Sequence, residues 1–211
     1  VLAPASVVLS FLAGLLAAAG PGAPPDGSLL VDVAPLVPRA VLDIRYATPD
    51  NFTGKTLYPS ARCLLRREVA ARLVRAAARL ERKGYRLRLY DCYRPLSVQR
   101  AMWTAYPRPG FVADPKGGSL HNRGAAVDVG LSAPDGSEVQ MPTRFDAFEP
   151  RARAGAKAGI PAKLRARRDL LRAAMEAEGF VVNPAEWWHF AARDARRFPL
   201  LDVPINGVAA P

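Results

Sequence analysis

The chain holds only two histidines, and each sits among residues that can bind a metal ion or move a proton. His121 lies in "SLHNRGAAVD" (Ser119 to Asp128) and His189 in "EWWHF" (Glu186 to Phe190). Asp128 is the single acid of the apolar run "AAVDVGL". A carboxylate buried in such a run needs a cation, a metal ion or several hydrogen bonds. Gly124, between His121 and Asp128, allows a turn, so the loop histidine and the strand aspartate can converge on one ion with His189 as third ligand. Two imidazoles and one carboxylate leave an open position for water, which a catalytic zinc site requires. Glu186, three residues before His189, can reach that water as a general base. In a flat strand residues three apart face opposite ways, so this reading requires a turn or bulge near Trp187. Either histidine alone reads as an ordinary core or surface residue; the pair, with Asp128 and Glu186 at these spacings, points to a metal.

Several elements must position these groups. Leu65, Val69, Leu73, Ala77 and Leu80 recur every three or four residues between arginines and predict an amphipathic helix, with Gly84 as its C-terminal cap. "YRLRLYDCY" alternates as a strand does, and the proline of "RPLSVQRAMWTAY" precedes a further helix. "YPRPGFVADPKGG" reads as loop, "AAVDVGL" as a short buried strand, and "SAPDGSEV" as a hairpin-type turn. The basic Gly/Ala-rich stretch from Arg151 to Pro161 reads as a mobile loop, and "AKLRARRDLLRAAMEAEGF" as a second amphipathic helix stopped by Gly179. "EWWHFAA" closes the series as a strand or strand edge. Helices and strands are interspersed and the turns look antiparallel. The expected fold is therefore α+β: a single domain with a central, mainly antiparallel sheet flanked by helices and a zinc site at the sheet.

At 211 residues the chain suits one domain with a sizeable core. Its net charge of +11 is spread over scattered arginines, among them Arg66, Arg67, Arg72, Arg75, Arg79, Arg82, Arg165, Arg167 and Arg168, most at expected solvent-facing helix positions. No helix-turn-helix, RNP or zinc-finger spacing accompanies them, so nucleic acid is not an expected partner; an anionic envelope polymer or an acidic ligand suits the charge as well. Val7 to Ala19 has the length of a secretory h-region, followed by small residues and "PGAPPDG". Residues 1–27 thus read as a signal peptide and linker, and 28–211 as the catalytic domain, periplasmic or extracellular, with no stable membrane association once the signal is cleaved. Cys63 and Cys92 fit an oxidising compartment and permit one disulfide, the alternative being two buried thiols. Closing that loop would stabilise the fold by roughly 3 to 4 kcal/mol on the chain-entropy model. Neither cysteine has a metal-ligand spacing.

The pattern Ser-x-His-x-x-Gly-x-Ala-x-Asp in "SLHNRGAAVD", together with "EWWH", resembles the VanX-type D-alanyl-D-alanine dipeptidases, zinc peptidases related to D-Ala-D-Ala carboxypeptidases. "RYATPDNFTGK", "YDCYRP", "RFD" and "RRDLLRAAMEAEGF" look like further blocks of that family in the expected order, from about residue 30 to about residue 200. The resemblance implies one zinc ion on His121, Asp128 and His189, with Glu186 as catalytic base and Arg94 facing the scissile carbonyl to stabilise the oxyanion. From the residues alone, the alternative for Arg94 is an ion pair holding the helix start beside Pro95. The resemblance further implies that Tyr46 and Asp146 hold the substrate ammonium and that Ser119 contacts the dipeptide near its carboxylate. The loop between Trp103 and Ser119 looks shorter than in the resistance-type members, and Pro142 stands where they have glycine. The expected activity is hydrolysis of D-Ala-D-Ala to two D-alanines. The alternatives are a D,D- or L,D-carboxypeptidase trimming peptidoglycan stems, with the same chemistry in a more open site, and a wall-binding module without activity, which would have no use for Glu186.

Overall fold

The computed structural model describes residues 30–107 and 111–208. The expected signal and linker, residues 1–27, lie outside the described residues. Ten regular elements follow one another: β1 (Leu30–Asp32), β2 (Val41–Leu42), β3 (Leu64–Arg66), α1 (Arg67–Glu81), β4 (Arg86–Asp91), α2 (Leu96–Ala105), β5 (Ala126–Ser132), α3 (Ala162–Glu176), β6 (Phe180–Val182) and β7 (His189–Ala192). Five strands form the main sheet in the order β2-β4-β5-β7-β6, and β1 pairs with β3 in a small second ladder. All neighbours in the main sheet run antiparallel except β2 and β4. The α+β expectation holds.

Helices α1 and α3 pack against each other and against one face of the sheet. Val69, Ala70, Leu73, Ala76, Ala77 and Leu80 form the buried stripe of α1, and Leu164, Leu171, Ala174 and Met175 that of α3. Glycines 84 and 179, both at positive φ, let the chain turn back after these helices. Every residue of β5 is buried, because helices cover one face and loops the other.

The apolar periodicity misplaced one helix boundary. Leu65 lies in β3, paired with Val31, and α1 begins only at Arg67. Leu65 is buried as a helix core residue would be, so its spacing could not reveal the extended backbone. Two arginines also depart from the solvent-facing reading. Arg66 is buried, with Nε donating to the Arg123 carbonyl, and Arg168 is buried beside the Ala156 carbonyl.

The Arg151–Pro161 stretch, expected to be mobile, is tied down. Ala152, Ala154 and Ile160 are buried, the Ala152 carbonyl accepts from Trp187 N at 2.8 Å, and Ala154 N donates to the Pro184 carbonyl at 3.1 Å. Ala152 and Ala154 pack under the 183–188 turn, and the charged residues of the stretch are exposed. The C-terminal segment is a second strap: Leu201 N donates to the Asn122 carbonyl, and Arg62 reaches the Ile205 and Val208 carbonyls.

Candidate active site

The register of the three central strands assembles the site. Asp91 at the end of β4 pairs with Asp128 of β5, and Asp128 pairs with His189 at the start of β7. Directly opposed residues of neighbouring antiparallel strands share a face, so the two acids and the imidazole stand in one row. An irregularity between Leu89 and Asp91 brings Asp91 into that row. His121 joins from a one-turn 3-10 helix, His121–Arg123, that ends at Gly124 with φ 64°. A Cβ at Gly124 would sit 2.6 Å from Leu30 Cδ2, so the turn requires glycine on grounds of both backbone and space.

His121 Nε2 lies 3.0 Å from His189 Nδ1 and 3.3 Å from Asp128 Oδ1, and His189 Nδ1 lies 2.9 Å from the same oxygen. A tetrahedral centre with bonds of about 2.0 Å to nitrogen and oxygen has edges of roughly 3.3 Å. The three atoms thus approximate one face of such a centre, and the donor set could hold a metal ion. His121 Nδ1 donates to the Cys92 carbonyl at 2.7 Å, which leaves Nε2 as a lone pair toward the other two groups.

The surroundings are built for a cation. Burial works against the charge of Asp128, but His121 and His189 outweigh it and hold the carboxyl well below the usual carboxylate range. Burial pushes the His121 imidazole down, while Asp128 and Asp91 more than reverse that, leaving it above its ordinary value. The same negative field that favours a proton on the imidazole favours a metal ion in its place.

Glu186 enters the same cavity from a turn rather than a strand. The Asn183 carbonyl accepts from Glu186 N and the Glu186 carbonyl from His189 N, and β7 starts only at His189. That turn supplies the change of direction that the Glu186–His189 spacing demands. Asn183 Nδ2 donates to Glu186 Oε2 at 2.9 Å and fixes the carboxylate. Burial raises the Glu186 carboxyl above its usual value, with His189 pulling the other way. A carboxylate raised toward neutrality is a stronger base than a free one.

A cavity of about 300 Å³ contains these groups, and Arg94, Ser119, Tyr46 and Asp146 also line it. Arg94 donates to Asp91 Oδ2 from Nη2 at 2.6 Å and from Nε at 3.2 Å, and to Gln99 Oε1 from Nη1 at 2.8 Å. Burial opposes its charge, and Asp91, Tyr58 and Tyr46 overcome that opposition. Arg94 is therefore both an ion pair ahead of α2 and a cation at the cavity wall. Ser119 Oγ accepts from His121 N at 3.3 Å, beside the turn that presents the His121 ring. At another part of the wall, Tyr46 donates to Asp146 Oδ2 at 2.8 Å. Asp146 has a φ of 56°, a left-handed conformation that aspartate tolerates better than most residues. Burial, and then Asp128, push its carboxyl well above the usual carboxylate range, against the pull of the Tyr46 hydroxyl.

Cys63 and Cys92 are joined in a disulfide behind this wall. Three features escaped the sequence reading. Asp91 is fully buried and accepts from Tyr58, Arg94 and its neighbour Cys92 N; its signal was an acid inside "LYDCY", the same anomaly that exposed Asp128. Asn183 was legible only as the turn residue of an Asn-Pro pair. The aromatic lining of Phe52, Phe111, Phe148 and Trp188 comes from four separate segments and had no local signal.

The profile of the M15 peptidase family, described as D-ala-D-ala dipeptidase, matches residues 27–209. The chain is 39% identical to the D-alanyl-D-alanine dipeptidase of Escherichia coli strain K12 over 176 residues, covering 83% of this chain and 91% of that protein. It is 35% identical to the enzyme of the same name from Enterococcus faecium and 33% identical to that from Streptomyces coelicolor, each match covering 72% of this chain and 85% of the relative. Sequence, fold and comparison agree: this chain belongs to the M15 peptidase family of D-Ala-D-Ala dipeptidases.

Proposed function

We propose that this protein hydrolyses D-alanyl-D-alanine to two D-alanines, with zinc held by His121, Asp128 and His189 and with Glu186 as the base. The observation that carries the reading is the convergence of the three ligand atoms within 2.9–3.3 Å of one another in the cavity that Glu186 also lines. Two nitrogens and one oxygen form a donor set that suits zinc. When bound, the metal supplies Lewis acidity, polarising the scissile carbonyl and acidifying a water molecule.

The remaining work falls to the chain. Glu186, oriented by Asn183, takes the proton of the attacking water and passes it to the departing amine, so water adds across the amide bond and two amino acids leave. Arg94, locked by Asp91 and Gln99, has N–H donors to spare for the oxygen that becomes negative in the transition state. Tyr46 and Asp146 receive the substrate ammonium, whose positive charge offsets the burial that disfavours the Asp146 carboxylate. Ser119 receives the carboxylate end. A volume at the small end of the roughly 300–1,000 Å³ range of ligand pockets, with Phe52, Leu120, Phe148 and Trp188 standing among the charged groups of its lining, suits two methyl side chains.

The role follows from the substrate: removal of a cell-wall precursor dipeptide. The apolar Val7–Ala19 segment and the buried disulfide favour an exported enzyme whose catalytic domain spans residues 28–211. Among the described residues, no helix is long and apolar enough to cross a membrane. D-alanine release from the free dipeptide, compared with release from a pentapeptide ending in D-Ala-D-Ala, tests the specificity. Cleavage of the dipeptide alone is expected; equal cleavage of the pentapeptide would make the protein a carboxypeptidase.

A further inference from the structure

His121 is steadied from behind by a backbone atom, the Cys92 carbonyl, and the segment that offers this carbonyl is irregular. Strand β4 stops at Asp91 and α2 starts at Leu96, so no strand ladder or helix fixes Cys92 in place. Yet nearly every group from Asp91 to Arg94 serves the cavity wall. The Asp91 carboxylate gathers Tyr58, Arg94 and Cys92 N, the Cys92 carbonyl takes the His121 proton, and Arg94 N donates to the His121 carbonyl at 3.2 Å. Asn122 Nδ2 then donates to the Arg94 carbonyl at 2.8 Å. Two tethers anchor this segment to β3. One is a hydrogen bond from Tyr93 N to the Leu64 carbonyl, and the other is the disulfide from Cys92 to Cys63, the residue just before Leu64. Both sulfur-bearing residues are buried.

We propose that the Cys63–Cys92 disulfide is a positioning element of the metal centre: it holds the Cys92 carbonyl where it fixes His121 in the Nδ1–H tautomer, with Nε2 aimed at His189 and Asp128. The inference rests on the metal reading of those three residues. A hydrogen bond of 2.7 Å weakens steeply with displacement or misalignment of its acceptor. The hydrogen bond on one ring nitrogen decides which nitrogen remains free to ligate. Loss of such outer partners typically weakens metal binding by about 10- to 100-fold.

The test compares wild type with C63A and C63A/C92A, none of which alters a ligand, the base or Arg94. Zinc affinity is measured by competition with a chromophoric chelator, the Co2+ form by its absorption spectrum, and the His121 tautomer by imidazole nitrogen–proton correlations in the metal-free protein. The expected result is a folded variant by circular dichroism, with zinc affinity reduced about 10- to 100-fold, an altered Co2+ spectrum and a lost or exchanging Nδ1–H resonance. A folded variant with unchanged zinc affinity and an intact Nδ1–H resonance would overturn the proposal and leave the bridge as a staple only. Should the variants fail to fold, the zinc-loaded wild type, held at partial occupancy against the same chromophoric chelator, is treated with a phosphine reductant while thiols, released zinc and circular dichroism are followed together. Zinc release in step with thiol exposure, with secondary structure retained, supports the proposal. Zinc retained after full reduction, or unfolding in step with reduction, contradicts it. A failure of the metal reading looks different: the oxidised wild type would bind no zinc, while the Nδ1–H resonance would still report whether the bridge positions the ring.

Discussion

Asp128 is charged in a place where an unpartnered carboxylate would take up a proton, and two imidazoles keep it ionised. Among the described residues, the side chain that hydrogen-bonds the Glu186 carboxylate is Asn183, which suits the proposed role of a group that gains and loses a proton. Replacing Glu186 separates binding from chemistry. E186Q is expected to retain one zinc per chain and to lose about 10²- to 10⁴-fold in kcat, the usual worth of a general base; metal analysis beside D-alanine release checks both. N183A leaves the carboxylate present but unsteered, and about a tenfold lower kcat with little change in KM is expected, in line with the effect of lost outer partners. At the ammonium end, D146A removes the acceptor that Tyr46 holds in place. Its signature is a raised KM for the dipeptide, measured by initial rates, and an unchanged KM would remove Asp146 from substrate binding.

Elements decide whether these residues meet. The turn of His121–Arg123 depends on Gly124, where a methyl group would strike Leu30 and the backbone adopts φ 64°. G124A is expected to lower stability by more than about 1 kcal/mol, read by denaturant titration, because both the strain and the clash must be relieved. Arginines along α1 tie that helix to Glu178 just after α3 and to Asp194 just after β7. Arg75 and Arg79 lower the Glu178 carboxyl, and Arg72 lowers that of Asp194. Depressed carboxyls contribute stability above their unfolded value and lose it as pH falls through the folded one. The thermal midpoint should therefore drop between about pH 5 and pH 3, and drop less steeply in R72A/R75A/R79A; with their arginines partly or largely open to solvent, these pairs contribute modestly. Helix cores, the buried strand and the His121–Asp128–His189 set were legible because period, glycine and a misplaced acid are local signals. The β4 irregularity, the seating of Arg94 on Asp91 and the aromatic wall were not, since each is set by segments distant in sequence. The extended Leu65 was misread because burial at helical spacing does not depend on the backbone beneath it.

Across the whole molecule, one row of a five-stranded sheet, joined by His121 and Glu186 from two turns, forms the candidate site, two helices cover its back, and loops with a C-terminal strap close its front. A metal that binds only the assembled row stabilises the folded state by mass action, about 4 kcal/mol at a thousandfold excess over its dissociation constant. Chelation should thus lower the thermal midpoint as well as the activity, and a midpoint unmoved by chelator would mean that the row holds no ion. The net charge of +11 draws anionic solutes to the surface but does not choose among them. On the proposed reading, choice belongs to the cavity and the ion it would hold, and the most direct measurement of both is a zinc titration of the metal-stripped protein with D-alanine release from D-Ala-D-Ala as the readout. The account predicts no release without metal and a rise that saturates at one zinc per chain. Full activity in the stripped protein, or none with one zinc bound, would contradict it.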